Sequence, residues 1–158
     1  MNKSPETYMK EAIRLSKQNI KNGTGGPFGA VIVKDGKIIA SGTNCVTSSN
    51  DPTAHAEVVA IRNACKTLNT FQLDDCEIYS SCEPCPMCLG AIYWARPKKI
   101  YFAASRIDAA ASGFDDSLIY DEIALPIQHR KIESEQLLQE EAKSVFDDWD
   151  NLTNKIEY

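Results

Sequence analysis

Thr53-Ala54-His55-Ala56-Glu57-Val58 and, further along, Cys82-Glu83-Pro84-Cys85-Pro86-Met87-Cys88 are the stretches from which the rest of the chain can be read. His55, Cys85 and Cys88 offer one imidazole and two thiolates, a donor set for Zn²⁺. Three protein ligands are one short of a closed structural site, so the fourth position stays open for water. Glu57 stands outside that ligand set, and a carboxylate so placed can move the water's protons. His55 and Glu57 are two residues apart, which on a regular helix would point them roughly 200° from one another. They share a pocket only if it lies end-on at the helix's first turn, where free amides and the helix dipole favour anions and thiolates. Taken singly, His55 is a polar residue at a helix start, and Cys85 with Cys88 is a structural zinc knuckle or a redox pair. Taken together with Glu57 they make a catalytic site. Cys82 forms a C-x-x-C spacing with Cys85, and a redox pair or a third thiolate ligand both stay open for it.

Outward from these motifs, element signals follow in alternation. Ser4-Pro5-Glu6 is a helix start, with a capping serine, proline in the first turn and an acid beside it. Tyr8, Met9, Ala12, Ile13, Leu15, Ser16 and Ile20 carry the inward face to about Lys21. After the break at Asn22 to Pro27, Ala30 to Lys34 and Lys37 to Ser41 are strands joined by Asp35-Gly36, a two-residue hairpin turn. Asp51-Pro52-Thr53 opens a helix carrying His55 to about Thr67. Cys76 to Ser80 is a strand, Pro86 to Trp94 a helix, and Lys99 to Ala103 a strand. Helix, hairpin, helix, strand, helix, strand implies a mixed sheet with helices on its faces. Gly113-Phe114-Asp115-Asp116 is a loop before a short helix over Ser117 to Leu125. Beyond Ser134, Leu138, Ala142, Val145, Trp149 and Leu152 alternate spacings of four and three, which marks an amphipathic helix.

The chain has 158 residues and is 43% hydrophobic, enough for one domain over 1-158 with its own core. No apolar run is long enough to span a membrane, and the polar N-terminus is unlike a secretory leader, so the expected location is cytoplasmic. Reduced cysteines follow, with Cys45, Cys65 and Cys76 expected as small buried hydrophobes. A net charge of −5 argues against a partner bound through many phosphates, and so against tRNA or DNA.

The pattern of His55, Glu57, Pro84, Cys85 and Cys88 is that of zinc-dependent nucleobase deaminases. The chain resembles the cytidine deaminase superfamily and, within it, the small bacterial guanine deaminases. Gly26-Pro27-Phe28-Gly29-Ala30-Val31-Ile32-Val33, Asn50 to Thr53, Glu83 to Arg96, Gly113 to Ser117 and the closing Glu157-Tyr158 carry that likeness. The resemblance implies a three-layer α/β/α sandwich and hydrolytic deamination of guanine to xanthine and ammonia in purine catabolism. It implies a homodimer that exchanges C-terminal segments, so that Tyr158 closes the partner's pocket. It also implies Asn44 and Asp116 as readers of the purine, and Phe28 and Trp94 as aromatic walls. Read without the resemblance, Phe28 and Trp94 are core, Asn44 a turn residue and Asp116 a helix cap. The rival functions are a tRNA adenosine deaminase, or another nucleobase deaminase of the superfamily, and a non-catalytic zinc-stabilised interaction module. The module requires a fourth protein ligand, for which Cys82 is the nearby candidate.

Overall fold

Ser4 has extended backbone and Pro5 follows it, so the first helix starts where its missing amide costs nothing. A computed structural model describes residues 4–158, which divide into two compact units, one ending at Asp116 and one running from Ser117 to Tyr158. In the first unit, α1 (Pro5–Asn22) is followed by β1 (Gly29–Lys34), β2 (Lys37–Thr43), α2 (Val46–Ser49), α3 (Ala56–Leu68), β3 (Glu77–Cys82), α4 (Pro86–Ala95), β4 (Lys99–Ala104) and α5 (Arg106–Ala111). The sheet order is β2-β1-β3-β4. β1 is antiparallel to both neighbours and β3 is parallel to β4, which makes the sheet mixed as expected.

Strand alternation divides the core between the two faces of the sheet. Ala30, Ile32 and Ile78 pack with Ala56, Ala60 and Ala64 of α3 and with Ile92 and Ala95 of α4. Val31, Val33 and Tyr79 pack on the other side with Tyr8 of α1. Three layers result, α1 on one face and α3 with α4 on the other. The alanine stripe of α3 allows an unusually close approach to β2. A Cβ built on Gly42 would lie 2.3 Å from the Ala56 carbonyl oxygen and 2.5 Å from the Ala60 nitrogen, so only glycine fits there.

Two expectations need correction. The helix carrying the metal motif begins at Ala56, not at Asp51, and His55 flanks it with extended φ and ψ of −70° and 156°. Asp51 instead closes a local turn, its Oδ1 accepting from the Thr53 amide at 2.8 Å, and α2 is a separate turn of helix that no sequence signal marked. The inward stripe of α1 is also rotated: Ile20 is 56% exposed, whereas Asn19 is buried.

The second unit holds α6 (Ser117–Ala124), a 3₁₀ turn (Ile127–His129) and α7 (Gln139–Asp150). None of its residues is buried. The expected stripe is present, with Ala142, Val145 and Trp149 on α7, Leu138 at its N-cap and Leu152 beyond its end. Among the described residues no helix is long and apolar enough to cross a membrane.

Candidate active site

The candidate site is built at one end of the four strands. Gly29 pairs with Thr43, Ala30 with Ser80, and Cys82 with Ala104, so the start of β1 and the ends of β2, β3 and β4 lie together. His55 and Cys85 each sit at the N-cap of a helix, α3 and α4, and Cys88 lies in the first turn of α4. The extended backbone of His55 removes the 200° problem, because its side chain leaves the chain before helical periodicity begins. Glu57 then points from the first turn of α3 toward the same end.

The His55 Nδ1 is 3.6 Å from the Cys85 Sγ and 3.5 Å from the Cys88 Sγ. A tetrahedral zinc ion with usual Zn–N and Zn–S bond lengths would hold those atoms about 3.6 Å apart, so the three side chains fit Zn²⁺ as they stand. Among the described residues no other histidine, cysteine or carboxylate joins the cluster. The hydrogen bond between the two thiols holds Cys85 well below the ordinary thiol range, with His55 adding to the effect. The same bond, with burial, pushes Cys88 up. His55 is raised, chiefly by its hydrogen bond with Cys85. Of the two sulfurs, Cys85 is therefore the one biased toward thiolate, the form that binds metal.

Glu57 is 6% exposed, and burial raises its carboxyl above the usual range against the opposing effect of its hydrogen bonds. The Ser80 hydroxyl donates to its Oε1 at 3.1 Å. Cys82 is excluded from the cluster. Its thiol donates to the Ser105 carbonyl at 3.6 Å, and burial pushes it up to about 11, so it stays protonated at neutral pH. All six cysteines are free, Cys76 is buried, and Cys45 and Cys65 are only partly so. The fourth ligand required by an interaction module is thus not supplied by Cys82.

Asn44, the first of the residues expected to read a base, directly follows β2. Asn44 is buried and its Oδ1 accepts from the amides of Gly26 at 3.2 Å and Val46 at 3.3 Å. Its orientation is fixed by backbone, which among the described residues leaves Nδ2 as the uncommitted donor. The Asn19 Nδ2 donates to the carbonyls of Gly26 at 2.8 Å and Asn44 at 2.9 Å, tying α1 to both loops and explaining why Asn19, not Ile20, turns inward. Gly25 is required for this contact, since a Cβ there would lie 2.2 Å from the Asn44 carbonyl oxygen. Phe28 meets Phe114 edge to face at 4.9 Å. Asp116 is partly buried and raised, first by burial, and it stands close enough to Cys85 to feel its charge. Trp94 lies on the outer side of α4 and is 65% exposed, and Tyr158 belongs to the second unit.

Ser80, Asn19 and Phe114 were not assigned a role from the sequence. Ser80 and Asn19 share a signal, a polar residue at a position whose periodicity points into the core. Phe114 stands in the Gly113 to Ser117 stretch but carries no chemistry that spacing reveals.

The family description "Cytidine and deoxycytidylate deaminase zinc-binding region" matches residues 2–104. The guanine deaminase of Bacillus subtilis (strain 168) is 61% identical over 153 residues, covering 97% of this chain and 98% of that one. The X-ray structure of guanine deaminase from Bacillus subtilis superimposes with a TM-score of 0.96 at 60% identity, covering 99% of both chains. The tRNA-specific adenosine deaminase of Aquifex aeolicus (strain VF5) is 46% identical over 99 residues, 63% of this chain and 65% of its own length. The matched region ends with β4 and contains all three metal-binding side chains and Glu57, so likeness of sequence and likeness of site coincide: the chain belongs to the cytidine and deoxycytidylate deaminase family.

Proposed function

We propose that the chain hydrolyses guanine to xanthine and ammonia. The observation that carries this reading is the buried Glu57 beside a three-ligand cluster with zinc geometry, in a chain that matches a guanine deaminase over nearly its full length. His55, Cys85 and Cys88 would hold a zinc ion, which when bound would supply Lewis-acid activation of water near neutral pH. Glu57 takes one proton from the attacking water and delivers it to a ring nitrogen next to the carbon that bears the 2-amino group. It then takes the second proton from the hydroxyl now on that carbon and gives it to the departing amine. The products balance as ammonia and the 2-oxo purine. Ring protonation has to accompany attack because an aromatic amidine carbon is a poor electrophile, and for that reason one carboxylate serves as both base and acid.

Asn44, through Nδ2, and Asp116, through its carboxylate, are the groups assigned to read the purine edge, with Phe28 and Trp94 as aromatic walls. The C-terminal segment is assigned to a homodimer in which Tyr158 closes the partner's pocket. Its long apolar stripe and its lack of any buried residue support a segment that must dock elsewhere. Thiols that must stay reduced suit a cytoplasmic enzyme. A panel of free bases assayed for ammonia release tests the reading: guanine should be turned over, and adenine and cytosine should trail it. Release from adenosine in tRNA, with strong salt dependence, would instead favour an editing enzyme.

A further inference from the structure

We infer that Ser80 is a positioning residue for Glu57, pinning one carboxylate oxygen so that the plane of the proton-carrying group is fixed. This rests on the reading that Glu57 moves the protons of hydrolysis. Ser80 sits in β3, between Ala30 on β1 and Phe102 on β4, on the face that Ile78 gives to the α3 and α4 core. It is 2% exposed. A hydroxyl at such a site is costly unless it is bonded, and among the described residues its hydrogen bond is the 3.1 Å donation to Glu57 Oε1. Packing alone would be served as well by alanine or valine in that stripe. A glutamate has three rotatable side-chain bonds, and a group that must pass protons between fixed points loses rate when it wanders among rotamers. Ser80 supplies the restraint from a strand paired on both sides, and it does so without being a metal ligand.

The test compares the zinc-loaded parent with Ser80→Ala and Ser80→Thr. Ser80→Ala should keep one zinc per chain and an unchanged KM for guanine while kcat falls about 10- to 100-fold, the rate equivalent of one charge-assisted hydrogen bond. Ser80→Thr keeps the hydroxyl and should recover most of that loss. Crystal structures of the same proteins give a readout independent of turnover. Glu57 should hold one rotamer in the parent and spread over several in Ser80→Ala. A Ser80→Ala protein with parental kcat, or with Glu57 in the same single rotamer, overturns the inference. If the parent releases no ammonia from guanine, the proposed function fails, while the Glu57 rotamers still decide whether Ser80 positions it.

Discussion

The two units of this chain differ in how their structure is held. Up to Asp116, the metal-binding side chains and Glu57 are fixed by helix starts and a buried hydrogen bond, and the three metal-binding atoms already stand at bonding geometry. From Ser117 onward there are helices but no buried residue, and Val145, Phe146 and Ile156 are each more than 60% exposed. A site whose parts are preorganised does its chemistry from local geometry, whereas a coreless segment is useful only through what it docks on. Substitutions of the site residues in the first unit should therefore abolish or reshape catalysis with the fold intact, and changes at the C-terminus should act through assembly.

The largest effect is expected from the ligands. Cys85→Ala or Cys88→Ala should lose zinc and fall to background ammonia release, while Cys82→Ala keeps stoichiometric metal, as read by metal analysis. Zinc lost equally from Cys82→Ala would return that residue to the ligand set. Glu57→Gln should keep zinc and lose about 10²- to 10⁴-fold in turnover, since the amide preserves shape but carries no proton. Activity within about tenfold of the parent would remove Glu57 from the mechanism.

Asp116→Ala should lower guanine turnover by about 10²-fold or more, because the donor edge of the base is left unpaired in the pocket. An unchanged preference for guanine would assign Asp116 to the start of α6 instead. The contrast between the units is sharpened by truncation before Tyr158, which should harm turnover more than melting temperature. Co-expressing the truncated chain with Glu57→Gln should restore activity in some heterodimers, as Tyr158 of one chain covers the intact Glu57 of the other. Heterodimers that are seen by mass yet inactive would mean that the tail does not act in trans. The smallest effect tests the scaffold: Gly42→Ala should cost about 1–3 kcal/mol of stability by forcing β2 away from α3, visible in the melting temperature.

Much of this was legible in residue order. Strand alternation at Ala30 to Val33 and the hairpin at Asp35-Gly36 announced the sheet, because periodicity reports which face is buried. The ligands and Glu57 were legible because metal chemistry demands particular donor atoms at short spacing. The start of α3 was misplaced since Asp51-Pro52-Thr53 carries capping chemistry that its own local turn uses up. Hydrophobicity alone points Ile20 inward, and Asn19 takes that position because two carbonyls across the loops need a donor.

By itself, then, the sequence determined the kind of chemistry, the donor set and the order of helices and strands, all of which rest on residue type and near spacing. Tertiary structure decided that Cys82 stands outside that donor set, since it turns to Ser105 while Cys85 turns to His55. It also decided that Ser80 reaches Glu57 and that Asn44 presents its amide nitrogen. Those outcomes depend on strand register and on hydrogen bonds between residues far apart in the chain, and nothing in local spacing encodes them.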